Sequence, residues 1–259
     1  MRFCSLGSGS AGNAWVVEAG RGAGATRVLI DCGFSLRELD MRLARAGLSA
    51  EGFDAIFVTH EHGDHIGSAL ALSRRRRIPL WMSRGTWSTL DEPMRPDDLL
   101  HFARDGEAIA VGALELRPFT VPHDAQEPLQ LTCADGARRL GILTDLGICT
   151  AHLLAQLERC DALAIECNHD RDMLARSRYP ASLKARIGGP LGHLANDAAA
   201  RILAACQHAS LRHVVAAHLS EQNNAPQLAA EALGAACGAP PQEIAVATQR
   251  SGTPWLDLA

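Results

Sequence analysis

The sequence predicts an α+β protein of the αβ/βα sandwich type, with two mixed β-sheets packed face to face and helices on the outer faces. Three observations carry this expectation. Short apolar runs of strand length recur along the chain, and several end in His or Asp. Helical segments fall between them without a clean βαβ alternation, and hairpin signals occur in both halves. No linker or low-complexity stretch divides the 259 residues, so 1–259 reads as a single domain.

In chain order, Ala14 to Ala19 and Arg27 to Asp31 read as strands of a hairpin joined through Gly20–Gly24. Ser35 caps a helix carrying Leu36, Leu39 and Leu43, and Gly47 ends it. Ala55 to Thr59 is a buried strand that runs into a histidine cluster. Asp64 then stands as the N-cap of a helix from His65 to about Arg74. Strands follow at Ile78 to Met82, Leu114 to Val121, Leu140 to Thr144 and Ala162 to Cys167. A helix over 195–208 precedes the strand Val214 to Ala217. Pro226 opens a helix to about Cys237, and Ile244 to Thr248 closes the fold. The arginine run Arg74–Arg77 reads as a solvated helix end.

Apolar residues make up 47% of the chain and charged residues 21%, a balance that supports a sizeable core and excludes intrinsic disorder. The formal net charge of -4 repels phosphates weakly, so a nucleic-acid partner would need locally concentrated basic residues. No apolar run is long enough for a bilayer, and the first residues lack the apolar core of a secretory leader. The eight cysteines are scattered without a C-x-x-C pair, which fits reduced thiols in the cytoplasm better than a thiolate zinc knuckle. The sequence leaves assembly open, a homo-oligomer included.

The densest chemistry is His60-Glu61-His62-Gly63-Asp64-His65, an H-x-H-x-D-H pattern directly after an apolar strand. In an extended segment His60 and His62 point to one side and can grip one ion. Asp64 and His65 follow as the chain turns, within reach of a second ion, and Gly63 is read as permitting the tight path between the pairs. Imidazole with carboxylate suits zinc or manganese, with iron also meeting the donor chemistry, and does not suit calcium. Further donors have to come from elsewhere. His123, Asp145 and His218 each follow a strand, and each alone is explained equally well as a satisfied surface or core residue.

With these residues in view the chain resembles the metallo-β-lactamase superfamily. The resemblance runs through Ser5 to Asn13 (SLGSGSAGN), Leu29 to Gly33 (LIDCG), the H-x-H-x-D-H motif, and His123, Asp145 and His218. It implies the metallo-β-lactamase fold and two divalent metal ions. His60, His62 and His123 would hold the first, Asp64, His65 and His218 the second, with Asp145 bridging. Further segments are similar to the YycJ (WalJ) family: Pro122 to Pro128, Glu166 to Asp170, Tyr179-Pro180, Ser182 to Lys184, Arg186-Ile187, Gly192 to Asn196 and His218 to Asn224. That family is grouped with nuclease-like members, some of them 5′-to-3′ exonucleases acting on DNA. The interval from Asp145 to His218 is too short for the inserted domain that clamps long nucleic acid in ribonuclease J relatives, so short, terminal or small substrates are expected.

The implied function is a dinuclear hydrolase, a phosphodiesterase or 5′-directed exonuclease working through a bridging hydroxide, with nucleic acid or a small phosphodiester as partner. The alternative is a lactonase, thioesterase or glyoxalase-II-like hydrolase of a small acyl substrate. Ser8, Ser10 and Asn13 could form an anion cradle, and Lys184 (the only lysine) with Arg186 could bind a phosphate chain. The catalytic candidates are Asp64, beside the metals, and His169 and His193, left over once the ligands are assigned. Either histidine could act as general acid, or could cap a helix or orient a ligand.

Overall fold

Alternation along the strands sorts the core into three layers. The structure, a computed structural model, describes residues 1–90 and 98–258. In β3 (Thr26–Ile30) Val28 and Ile30 face the inner core while Leu29 faces outward. In β11 (Ala162–Glu166) Ala162 and Ala164 face inward while Leu163 and Ile165 face the opposite side. This period of two on both sheets buries one side of each against the other and the far side against helices.

The first sheet runs β14 (Leu256–Asp257), β1 (Arg2–Gly7), β2 (Ala14–Ala19), β3, β4 (Ala55–Phe57), β5 (Leu80–Met82) and β6 (Leu100–Phe102). The second runs β13 (Ala245–Val246), β12 (His213–Ala217), β11, β10 (Arg139–Leu143), β9 (Leu129–Ala134), β8 (Leu114–Thr120) and β7 (Ile109–Val111). Each sheet is antiparallel at one end and parallel at the other: β3 to β6 are parallel neighbours, as are β10 to β13. Parallel βαβ units are therefore present in both halves, which the mixed sequence pattern obscured. Phe3, Trp15, Phe57, Leu116, Leu131 and Ile142 fill the space between the sheets. The first outer layer packs against α1 (Leu36–Arg45) and α3 (Ala69–Arg76), the second against α5 (Ala151–Leu157), α8 (Asn196–Cys206) and α9 (Pro226–Cys237). Two short helices, α6 (Arg171–Arg176) and α7 (Ala181–Ile187), lie between β11 and α8. Among the described residues no helix is long and apolar enough to cross a membrane.

Three local expectations are corrected. The helix read from His65 to Arg74 is two pieces, α2 (Gly63–Ile66) and α3, broken where Gly67 takes φ 30°. Asp64 lies inside the first turn of α2 and not at its N-cap, which is His62. The closing strand shrinks to Ala245–Val246. The strands β1, β6, β7, β9 and β14 were not foreseen. In β9 a buried Gln130 interrupts the apolar reading, and its amide is spent inside the sheet on both sides of Thr144.

Candidate metal centre

The parallel arrangement brings strand ends to one edge of the sandwich, and the sequence places donors there. β4 leads into His60–His65, β8 into His123, β10 into Asp145 and β12 into His218. All seven predicted ligands meet. The ligating atoms of His60, His62 and His123 lie within 4.8 Å of one another, as do those of Asp64, His65 and His218 and those of His60, His65 and Asp145. Nε2 of His60 is 3.0 Å, and Nε2 of His123 3.3 Å, from Nδ1 of His62. Asp145 stands between the groups, Oδ2 2.6 Å from Nε2 of His65 and Oδ1 2.9 Å from Nδ1 of His218.

The backbone turns sharply to present these groups. Asp31, Asp145 and His218, at the ends of β3, β10 and β12, have φ of 61°, 58° and 52°. This left-handed region is uncommon for non-glycine residues, though Asp and His are enriched in it. Gly33 lets the chain press against the Asp64 carbonyl, which a Cβ there would approach to 1.7 Å. Gly63, by contrast, has open space around it and no need to be glycine.

Buried partners fix the rings. Nδ1 of His65 contacts Oδ2 of Asp31 at 2.7 Å, and Asp31 accepts from the Thr59 amide and hydroxyl. Burial pushes the His60 imidazole far below its ordinary value, and His65 beside it adds to this. Burial also lowers His123. Both are therefore held neutral, the ligating form. At His65 burial acts against the charge, but Asp145 and Asp31 outweigh it and the imidazole is raised well above its usual range. Burial alone would raise Asp145, yet His218 and His65 hold its carboxyl far below the usual carboxylate range. Oδ2 of Asp145 and Nδ1 of His218 are buried and form no well-aligned hydrogen bond, their near polar neighbours being the other donors of the cluster. Buried polar atoms are nearly always satisfied, and carboxylate and imidazole donors converging in this way fit divalent cations.

The other predicted residues separate. His193 joins the cluster, its Nδ1 2.7 Å from Oε1 of Glu166 and 3.1 Å from Oδ1 of Asp145. Burial opposes a charge on this ring, but the two carboxylates outweigh it and raise its pKa to about 11. Glu166, fully buried, also accepts from the amides of Leu146 and Leu194. Its part in the site was missed, although it opens a segment that carried the family resemblance. Asn196, three residues beyond His193, pairs with Asn224 and not with the ring. His169 does not join the cluster. It is buried, its carbonyl accepts from Asn196, and burial lowers its pKa to about 4. The ring does not line the cleft that His193 shares with Asp64, Asp145 and His218.

Ser8 and Asn13 are buried and committed to each other and to the ligand loops. Ser8 Oγ donates to Asn13 Oδ1 and accepts from the His218 amide, while Asn13 Nδ2 reaches Gly9 O, Asp64 Oδ2 and the His65 ring. Their polar atoms face inward, so only Ser10 of the expected cradle reaches the open cleft, alongside His62, Asp64, Asp124, Arg186 and His193. Lys184 donates to the Ala175 carbonyl and does not line the cleft. Arg186 does line it, its Nε 2.6 Å from Oδ2 of Asp124. Burial works to raise Asp124, but the Arg186 guanidinium holds it below the usual range.

Residues 26–219 match the Beta-lactamase superfamily domain. The chain is 32% identical to exodeoxyribonuclease YycJ of Bacillus anthracis over 231 residues, which cover 88% of this chain and 86% of that protein. It is 29% identical to exodeoxyribonuclease WalJ of Streptococcus pneumoniae serotype 2 over 232 residues, covering 88% and 85%. Among solved structures it resembles the metallo-beta-lactamase fold protein YhfI from Bacillus subtilis, with TM-score 0.73, 15% identity and 99% of each chain covered. Zn(2+)-bound PqqB from Methylobacterium extorquens superposes with TM-score 0.73 and 17% identity over 99% of this chain and 100% of that one.

Proposed function

Since the chain belongs to the beta-lactamase superfamily and is a metal-dependent hydrolase of the metallo-β-lactamase fold, we propose that it is a phosphodiesterase, a 5′-directed exonuclease acting on nucleic acid. The observation that carries this reading is one wall of the cleft, where Arg186 and His193 stand beside the donor cluster. A guanidinium matches phosphate oxygens in charge and in fork geometry. The similarity to two proteins named exodeoxyribonucleases supports it.

In this reading His60, His62 and His123 would hold one ion and Asp64, His65 and His218 the other, with Asp145 shared. When bound, such ions would lower the pKa of a water towards neutrality and draw charge from the phosphoryl oxygens. The chain's own residues do the rest. Arg186 binds a phosphate oxygen, and Asp124 holds its guanidinium over the cleft. Glu166 and Asp145 engage Nδ1 of His193, which leaves Nε2 as the ring atom that protonates the departing alkoxide. Asp31 fixes the His65 ring through Nδ1, and Ser8 fixes the turn that presents His218.

The test is turnover of bis-p-nitrophenyl phosphate, a lactone, a thioester and end-labelled DNA, each with zinc and with manganese. Phosphodiesters should exceed the acyl substrates by orders of magnitude, and a 5′ label should leave DNA first. DNA binding should weaken with salt, and Arg186→Ala should reduce the slope by about 1. Faster lactone or thioester hydrolysis hands the site to acyl chemistry.

A further inference from the structure

Helix α7 carries no buried residue, an unusual state for a helix bearing Leu183 and Ile187 one turn apart. These two side chains, with Arg186 between them, line the cleft beside Asp145 and His193. Spaced i, i+3 and i+4 they share one helix face. The apolar stripe of α7 is thus directed at the reaction centre and not at the core.

The helix is tied to the catalytic segment. The His193 amide donates to the Ile187 carbonyl at 2.8 Å, and Gly192 packs so closely that a Cβ would come within 2.1 Å of the Arg186 carbonyl. Among the described residues Met41, Ile148 and Leu191 are the large apolar side chains left mostly exposed. Two of them flank this region. Leu191 precedes Gly192 and its carbonyl accepts from the Asp124 amide, while Gly147, next to Ile148, packs on the Pro190 carbonyl.

We propose that Leu183 and Ile187 form a subsite for the unstacked nucleobase next to the scissile phosphate. It rests on the nuclease reading above. Arg186, on the same helix face, takes the phosphate while the aliphatic pair takes the base. The cleft has a volume of about 180 Å³ and opens to solvent beside this helix face. Among the described residues no aromatic ring other than histidine lines it, so the contact is aliphatic and reads no base edge. Purines and pyrimidines should therefore be accepted alike, since sequence is read by hydrogen bonds to base edges.

The experiment uses the metal-loaded protein and single-stranded DNA with one abasic residue, placed either beside the first bond cut or several residues away. The wild type should cut the adjacent-abasic strand about tenfold more slowly than intact DNA, the scale of a modest apolar contact. The distant abasic residue should have no effect. In Leu183→Ala/Ile187→Ala the intact and adjacent-abasic strands should converge on the slower rate, and Leu183→Met/Ile187→Val should restore the difference. Equal wild-type rates on both strands, or a double variant that keeps the tenfold gap, overturns the subsite and leaves the nuclease reading standing. A wild type that cuts no strand with either metal, while its fold and metal content are intact, overturns the nuclease reading and the subsite with it.

Discussion

The first sheet delivers four donors from one short segment, His60 to His65, whereas the second delivers His123, Asp145, Glu166, His193 and His218 from separate connections. The first group shares a single loop and the short helix α2. The second is assembled only when β8, β10, β11 and β12 lie in register. The difference separates two kinds of site robustness. The loop is contiguous and takes its braces from the first sheet, Asp31 and Asn13 among them. The scattered half depends on the order of the second sheet and on buried braces such as Gln130 behind Thr144 and Glu166 behind His193.

The largest expected effect tests the division itself. Asp145 stands between both donor groups, so Asp145→Ala should strip both ions, while His60→Ala should weaken mainly one. Metal analysis of the purified proteins reads this directly. Both variants should lose more turnover than the about 10–100-fold that supporting partners of ligands typically cost. Equal metal retention in the two would break the comparison.

The next effect lies wholly in the second half. His193→Ala should keep both metals and lose about 10²–10⁴-fold in turnover of DNA, whose leaving alkoxide needs a proton. A p-nitrophenolate leaving group should suffer much less. Glu166 raises the His193 pKa, so Glu166→Gln should lower it and move the alkaline fall of the pH–rate profile to lower pH. An unmoved alkaline limb would assign the protonation elsewhere.

The smallest effect concerns the seam between the halves. Ser8, from the β1–β2 connection, accepts from the His218 amide. Ser8→Ala leaves that buried N–H unpaired, at about 1–3 kcal/mol. The denaturation midpoint should fall while metal content and KM for phosphodiesters stay near wild type. A raised KM with unchanged stability would instead restore Ser8 as part of a phosphate cradle.

This asymmetry also explains what was legible in the sequence. The H-x-H-x-D-H run is a local pattern, so its four donors could be read from spacing alone. His123, Asp145 and His218 could be suspected, singly and together, because each follows an apolar run, and their division between two ions needed the family resemblance. Glu166 was overlooked because it ends a strand as a lone carboxylate, and nothing local shows that His193, far along the chain, returns to it. His169 stays out of the cluster for the complementary reason. It sits in the same polar turn, yet the chain bends it inward beside Ala195. The parallel order within each sheet was hidden by short strands, β5 and β6 among them, that carry too few residues to show a period.

The left-handed backbone at Asp31, Asp145 and His218 narrows the alphabet available for drift. Without strain such a position admits Gly, Asn, Asp or His and little else. Chemistry there demands a ligand or a carboxylate brace, which removes Gly and leaves Asn as a neutral imitation. Glu and Cys, both competent metal donors, would carry a backbone penalty of order 1–3 kcal/mol at each such site. Lineages of this fold can thus exchange substrates by altering helices such as α7 at small cost, whereas a softer or more acidic donor set at these three turns would have to arrive together with a rebuilt main chain.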